Sequence, residues 1–167
     1  MIHPHITTAA LAPVDAGDLV VLIGAGGSGK STLLRTVPAH EIVSLDALRA
    51  LVSEPGDQTA TIDAVLLQTQ ILTMRLRRGK TTYLDNSSTE PHHRAQLVEL
   101  GHQHGRRVIA AWVDAPLPVC LARNSARPAE RRVPEDVLRH QHRMARAARE
   151  LLDGEGFDEI RHHRTGH

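Results

Sequence analysis

The sequence predicts an α/β fold built on a parallel sheet, and three observations predict it. The run "DLVVLIG" at 18–24 is continuously apolar, too short for a helix, and suited to a strand covered on both faces. Short apolar runs then alternate with longer segments of helical periodicity, which implies right-handed crossovers between parallel strands. The first run also empties into the glycine-rich turn "GAGGSGKST" at 24–32, so a strand passes through glycines directly into a helix.

Each element follows in chain order. Residues 1–17 read as an N-terminal lead-in, without the lysine or arginine of a signal peptide's charged region. A helix over 30–37 stops near Pro38, and "EIVSLD" supplies a second strand that ends at Asp46. The stretch 58–79 spaces Ile62, Val65, Leu66, Thr69, Leu72 and Leu76 as one helix face does, then ends in arginines and Gly79. "TTYLD" at 81–85 is a third strand, and a helix with Pro91 near its start follows. "RRVIAAWVD" at 106–114 is a fourth strand, and "GFDEIR" offers a fifth. The expected unit is one domain over 18–161, a central parallel sheet of about five strands flanked by helices, with residues 162–167 as a mobile tail.

Composition narrows the function classes. The chain has 167 residues and a formal charge of +1, so its overall balance does not announce a nucleic-acid partner. Cys120 is the only cysteine, which excludes an intramolecular disulfide and fits a reducing cytosol. No apolar run reaches the roughly 20 residues that span a bilayer, so a cytoplasmic protein with no membrane partner is expected. Basic charge is nearly all arginine, and eight arginines crowd residues 123–149. They form either a solvated helix face or a surface that meets phosphate. The 12 histidines lack carboxylate or cysteine partners at ligand spacing and read as surface residues.

The glycine-rich turn carries the chemistry. Gly24, four residues, Gly29, Lys30 and Ser31 fit the Walker A pattern in its required strand-to-helix setting. Gly24, Gly26, Gly27, Ser28, Gly29, Lys30, Ser31 and Thr32 would cradle the phosphates of ATP or GTP, because backbone N–H groups converge there. Lys30 would reach the β and γ phosphates, and Ser31 would hold magnesium. Kinases, ATPases, GTPases and nucleotide switches share this loop. No Asn-Lys-x-Asp base-reading motif accompanies it.

A kinase also needs a carboxylate near the acceptor hydroxyl and arginines over the phosphates. Asp46, expected on the strand neighbouring that of the phosphate loop and so beside the γ-phosphate, is the candidate for the first, or else a helix N-cap, or both. Arg49 lies three residues on, where it either orients an anion or stays an ordinary surface arginine. Asp85 ends the third strand and either holds magnesium through water or caps a turn. Asp85, Ser87 and Arg94 join Asp46 and Arg49 as candidate acceptor contacts. The segment 123–134 breaks a helix between Pro128 and Pro134, as an arginine-rich lid would. Arg123 or Arg127 would then contact the transferring group.

These residues, in this order, resemble the kinase domain of polynucleotide 5′-kinases, in particular the bacterial module of RNA-repair enzymes. The resemblance runs from about residue 19 to 160 through "GAGGSGKST", "SLDALRALVSEPGDQ", "LDNSS" and "CLARNSARPAERRVPEDVL". It implies a P-loop kinase fold in which Lys30 and Ser31 hold the nucleotide phosphates and magnesium, and Asp46 is the general base. It further implies that Arg49 touches a phosphate beside the attacked hydroxyl, that Arg123 is the lid arginine, and that Asp57 and Gln58 match a family Asp-Gln pair. Where the bacterial modules read Asp-Ala-Thr-Asn, this chain has Asp85, Asn86, Ser87 and Ser88. Its expected acceptor is a nucleic-acid 5′-hydroxyl. The alternative is a nucleoside-type small molecule such as an antibiotic, and a non-enzymatic nucleotide switch is the second alternative.

Overall fold

The computed structural model describes Leu11 and residues 13–166. Five strands, β1 (Leu19–Ile23), β2 (Ile42–Ser44), β3 (Thr82–Asp85), β4 (Val108–Asp114) and β5 (Glu159–Arg164), form one parallel sheet in the order β2-β3-β1-β4-β5. All five residues of β1 are fully buried, as a continuous apolar run at the centre of a two-faced sheet must be. Successive side chains leave opposite faces. Leu19, Val21 and Ile23 pack with Leu72, Leu76, Leu84 and Trp112 on one side. Val20 and Leu22 pack with Leu33, Leu34, Tyr83 and Ile109 on the other.

The helices are α1 (Lys30–Leu33), α2 (Leu45–Val52), α3 (Thr61–Arg77), α4 (Pro91–Gln103), α5 (Leu117–Ser125) and α6 (Glu135–Leu151). α1 tightens into a 3-10 turn over Leu34–Thr36, so the helical path ends where Pro38 dictates. Among the described residues no helix is long and apolar enough to cross a membrane.

Three expectations change. Strand β2 stops at Ser44, whose hydroxyl caps α2 by accepting from the Ala47 amide at 3.4 Å, so Asp46 lies in the first helical turn instead of ending the strand. β2 neighbours β3, not β1. The strand that leads to Asp46 is therefore two strand spacings, roughly 10 Å, from the phosphate-loop strand. The first half of the expected mobile tail is sheet: residues 162–164 belong to β5, which pairs with β4 as far as Arg164, and the Thr165 amide donates to the Asp114 carbonyl at 2.8 Å. The polar sequence "HHR" hid this strand because it lies at the sheet's edge, where only one side chain in two needs to be buried; His163 is buried and His162 and Arg164 are exposed.

Candidate active site

The phosphate loop leaves β1 at the carboxyl edge of the sheet. Gly27 has φ 76° and Gly29 φ 108°, which turn the backbone back on itself. At Gly27 space forbids a side chain as well, since a Cβ there would lie 2.7 Å from the Cys120 carbonyl oxygen. The Lys30 ammonium returns across the loop, donating to the Gly24 carbonyl at 2.7 Å and the Ala25 carbonyl at 2.9 Å. Burial lowers the Lys30 pKa from 10.5 to about 8, against the opposing pull of Asp85 and with a further push from Arg127. Ser31 and Thr32 are exposed on α1.

Asp85 ends β3, the strand beside β1, and faces this charge. Burial raises its pKa, while Lys30 and Arg127 pull it back down. Ser87 contributes its carbonyl, which accepts from the Gly24 amide at 3.0 Å and ties the loop after β3 to the start of the phosphate loop. Asn86 fixes the same loop from the other side. Its side chain accepts from the Leu45 amide at 3.3 Å and exchanges hydrogen bonds of 2.8 and 3.1 Å with Gln68 on α3. Sequence reading missed Gln68, whose buried amide on an otherwise apolar face was the available signal.

Asp46 and Arg49 form an ion pair on α2. The carboxylate of Asp46 is 86% exposed, whereas the Arg49 side chain is 11% exposed and its Nε is buried with no partner among the described residues. Burial lowers the Arg49 pKa. Asp57, the other acid the resemblance pointed to, is spent locally: it accepts from the Thr59 amide at 2.9 Å and the Ser53 hydroxyl at 2.6 Å.

Two candidate contacts are corrected. Arg94 does not face an acceptor. It is fully buried, clamps Glu155 through Nε at 2.7 Å and Nη2 at 2.6 Å, and gives Nη1 to the carbonyls of Ser88 and Thr89. It thereby supports the loop after β3, where Ser88 has φ 49°. Arg123 does not extend from a lid. Helix α5 continues through Ser125, so Arg123 sits in its last turn and braces the phosphate loop, with Nη1 3.0 Å from the Gly27 carbonyl and 3.0 Å from the Thr165 hydroxyl. Thr165 itself donates to the Ser28 carbonyl at 2.5 Å. The cation that acts electrostatically on both Lys30 and Asp85 is Arg127, from the segment beyond α5.

The donor set fits a nucleoside triphosphate. The Ser28 hydroxyl is buried without a partner among the described residues, beside a lysine and two left-handed glycines. Among the same residues no three His, Cys, Asp or Glu side chains gather as a metal cluster, and two of the histidines expected at the surface, His142 and His163, are buried.

Residues 19–152 match the family model described as an AAA domain. The chain belongs to the AAA domain family. This AAA domain has a P-loop kinase-like fold. It is similar to the AvrRxo1-ORF1:ORF2 structure solved with ATP, at 16% identity and a TM-score of 0.67, over 82% of this chain and 49% of that one. It thus spans about half the length of that chain. It is also similar to the PezAT toxin-antitoxin system of Streptococcus pneumoniae, at 15% identity and TM-score 0.64, covering 88% of this chain and 66% of that one. Shikimate kinase from Acinetobacter baumannii, solved with shikimate, superposes at 17% identity and TM-score 0.52, covering 89% and 85%. No curated protein sequence matches the AAA domain described here.

Proposed function

We propose that this AAA domain is a magnesium-dependent kinase that moves the γ-phosphoryl group of ATP or GTP onto a hydroxyl. The observation that carries the reading is the pairing, on one edge of the sheet, of a buried lysine and carboxylate with a solvent-facing carboxylate. Lys30 and Asp85 interact electrostatically at the loop, while Asp46 stands exposed in the first turn of α2, just past the strand beyond. When bound, the triphosphate supplies the group transferred, and magnesium neutralises its charge. Ser31 and Asp85 would hold the metal, Asp85 through water. Lys30 and Arg127 stabilise negative charge at the loop, and Arg123 keeps the loop's shape from behind. Asp46 receives the proton of the incoming hydroxyl, and Arg49, whose Nε has no hydrogen-bond partner among the described residues, orients the acceptor.

The resemblance to polynucleotide kinases supports a nucleic-acid 5′-hydroxyl as acceptor, with Arg49 against the flanking phosphate. A second reading, a nucleoside-type small molecule, is favoured by how the side chains are used. Tyr83 and Trp112 are buried, so neither offers a face on which bases stack. On α6, Arg139 pairs with Glu135, Arg146 lies 3.7 Å from Asp114, and Arg149 rests over Trp112.

The deciding experiment is transfer of labelled γ-phosphate to 5′-hydroxyl oligonucleotides and to nucleosides. Oligonucleotide KM is expected to rise with salt, because a multi-phosphate ligand releases counterions on binding. Asp46→Asn is expected to lower kcat by about 10²- to 10⁴-fold and leave nucleotide affinity intact. Full activity in that variant removes Asp46 as the base, and labelling of nucleosides alone selects the second reading.

A further inference from the structure

Helix α6 reaches the phosphate loop directly. Its register is fixed to the sheet by two bonds: the Trp112 indole donates to the Ala145 carbonyl at 2.6 Å, and the His142 Nε2 lies 2.9 Å from the Ala115 carbonyl. Leu138, one turn earlier, is fully buried, and its Cδ1 would lie 3.2 Å from a Cβ on Gly26; Arg127 Nη1 would lie at 3.6 Å. Between these anchors stands Gln141. Its Oε1 accepts from the Gly26 amide at 3.1 Å, across 115 residues of sequence. Its Nε2 makes no hydrogen bond with the described residues, which leaves two amide donors at the loop.

We infer that Gln141 is a positioning residue of the phosphate loop. It holds the Gly26 amide in place from the helix that follows the arginine-rich segment, and so ties that segment's docking to the loop's shape. A packed helix is a stiff mount, and a loop held from it loses less conformational freedom when a triphosphate binds. The choice of glutamine is chemical. A hydrocarbon of similar length would leave the Gly26 amide unpaired, and a carboxylate would keep the acceptor while adding a negative charge beside the phosphates. This inference rests on the nucleotide-binding reading above for its consequence, though not for its geometry.

The test separates the two. In the ligand-free protein, amide hydrogen exchange at Gly26 is expected to quicken tenfold or more in Gln141→Leu and to return to the wild-type rate in Gln141→Glu. Binding of a non-hydrolysable ATP analogue is expected to weaken about tenfold in Gln141→Leu, the scale of one hydrogen bond, and further still in Gln141→Glu. A merely structural role would move affinity and melting temperature together in both variants. Unchanged exchange at Gly26 in Gln141→Leu, failure of glutamate to restore it, or analogue binding as tight as wild type in both variants overturns the proposal. A wild-type protein that does not bind the analogue ends the kinase reading instead and leaves the exchange result standing.

Discussion

Lys30 shows how burial tunes one residue for one ligand. Its ammonium is desolvated, which lowers its pKa to about 8, and two carbonyls hold it at 2.7 and 2.9 Å. Below that pH the folded protein presents a cation that water screens poorly, the condition under which a phosphate interaction is strong. Affinity for an ATP analogue is therefore expected to fall as pH rises through about 8, and titration calorimetry between pH 6.5 and 9.5 measures it. Lys30→Met, already weak, is expected to show no step in that range. Stability moves the other way. Between about 8 and the ordinary 10.5 the unfolded chain binds more protons than the folded one, so the contribution of Lys30 to stability rises with pH there. Asp85 is the complementary residue: burial raises its pKa, and the charges of Lys30 and Arg127 oppose that rise.

At the scale of elements, the loop between β3 and α4 illustrates how a site is held by residues outside it. Asp85 and Ser87 approach the phosphate loop only because the next residues are pinned, Asn86 by Gln68 and the carbonyls of Ser88 and Thr89 by Arg94. Arg94 makes four hydrogen bonds here, two of them to Glu155. Replacing it by leucine strands a partly buried carboxylate and two carbonyls, and is expected to cost about 3–5 kcal/mol in denaturant-measured stability. Arg94→Lys is expected to recover little, since an ammonium cannot span both carboxylate oxygens and both carbonyls. A loss below about 1 kcal/mol in either variant removes the scaffolding role assigned to Arg94.

For the whole molecule, the telling contact joins segments that lie far apart in sequence. Gly56, at φ 81° in the turn between α2 and α3, is so close to the segment between Pro128 and Pro134 that a Cβ would collide with the Glu130 carbonyl oxygen. The turn that follows Asp46 and Arg49 therefore packs backbone to backbone on the segment that follows Arg127. Gly56→Ala must part them, both by collision and because alanine resists a left-handed φ. Faster cleavage by trypsin at the exposed Arg131 and Arg132 is the expected result, with near-native melting. Cleavage at the wild-type rate means that the contact does not hold that segment in place.

What the sequence determined by itself was everything carried by neighbouring residues. The phosphate loop is one contiguous stretch whose glycines, lysine and serine are adjacent in the chain, and β1 and β4 announce themselves because strands covered on both faces are apolar along nearly their whole length. The helix boundaries near Pro38 and Pro91 were equally local. What only the tertiary structure decided was every pairing between distant residues. Strand order put β3 between Asp46 and the loop; Glu155, 61 residues away, drew Arg94 into the core; β4 recruited a polar tail as its edge partner; and Gln141 met Gly26 across the fold. Local pattern marks the covered strands, but on α3 Ile62, Val65 and Leu66, expected on the helix's apolar face, are exposed, and Ala64 and Gln68 are buried beside Leu72 and Leu76 instead; which face and which partner a residue meets depends on how the crossovers stack, and no stretch of neighbouring residues encodes that.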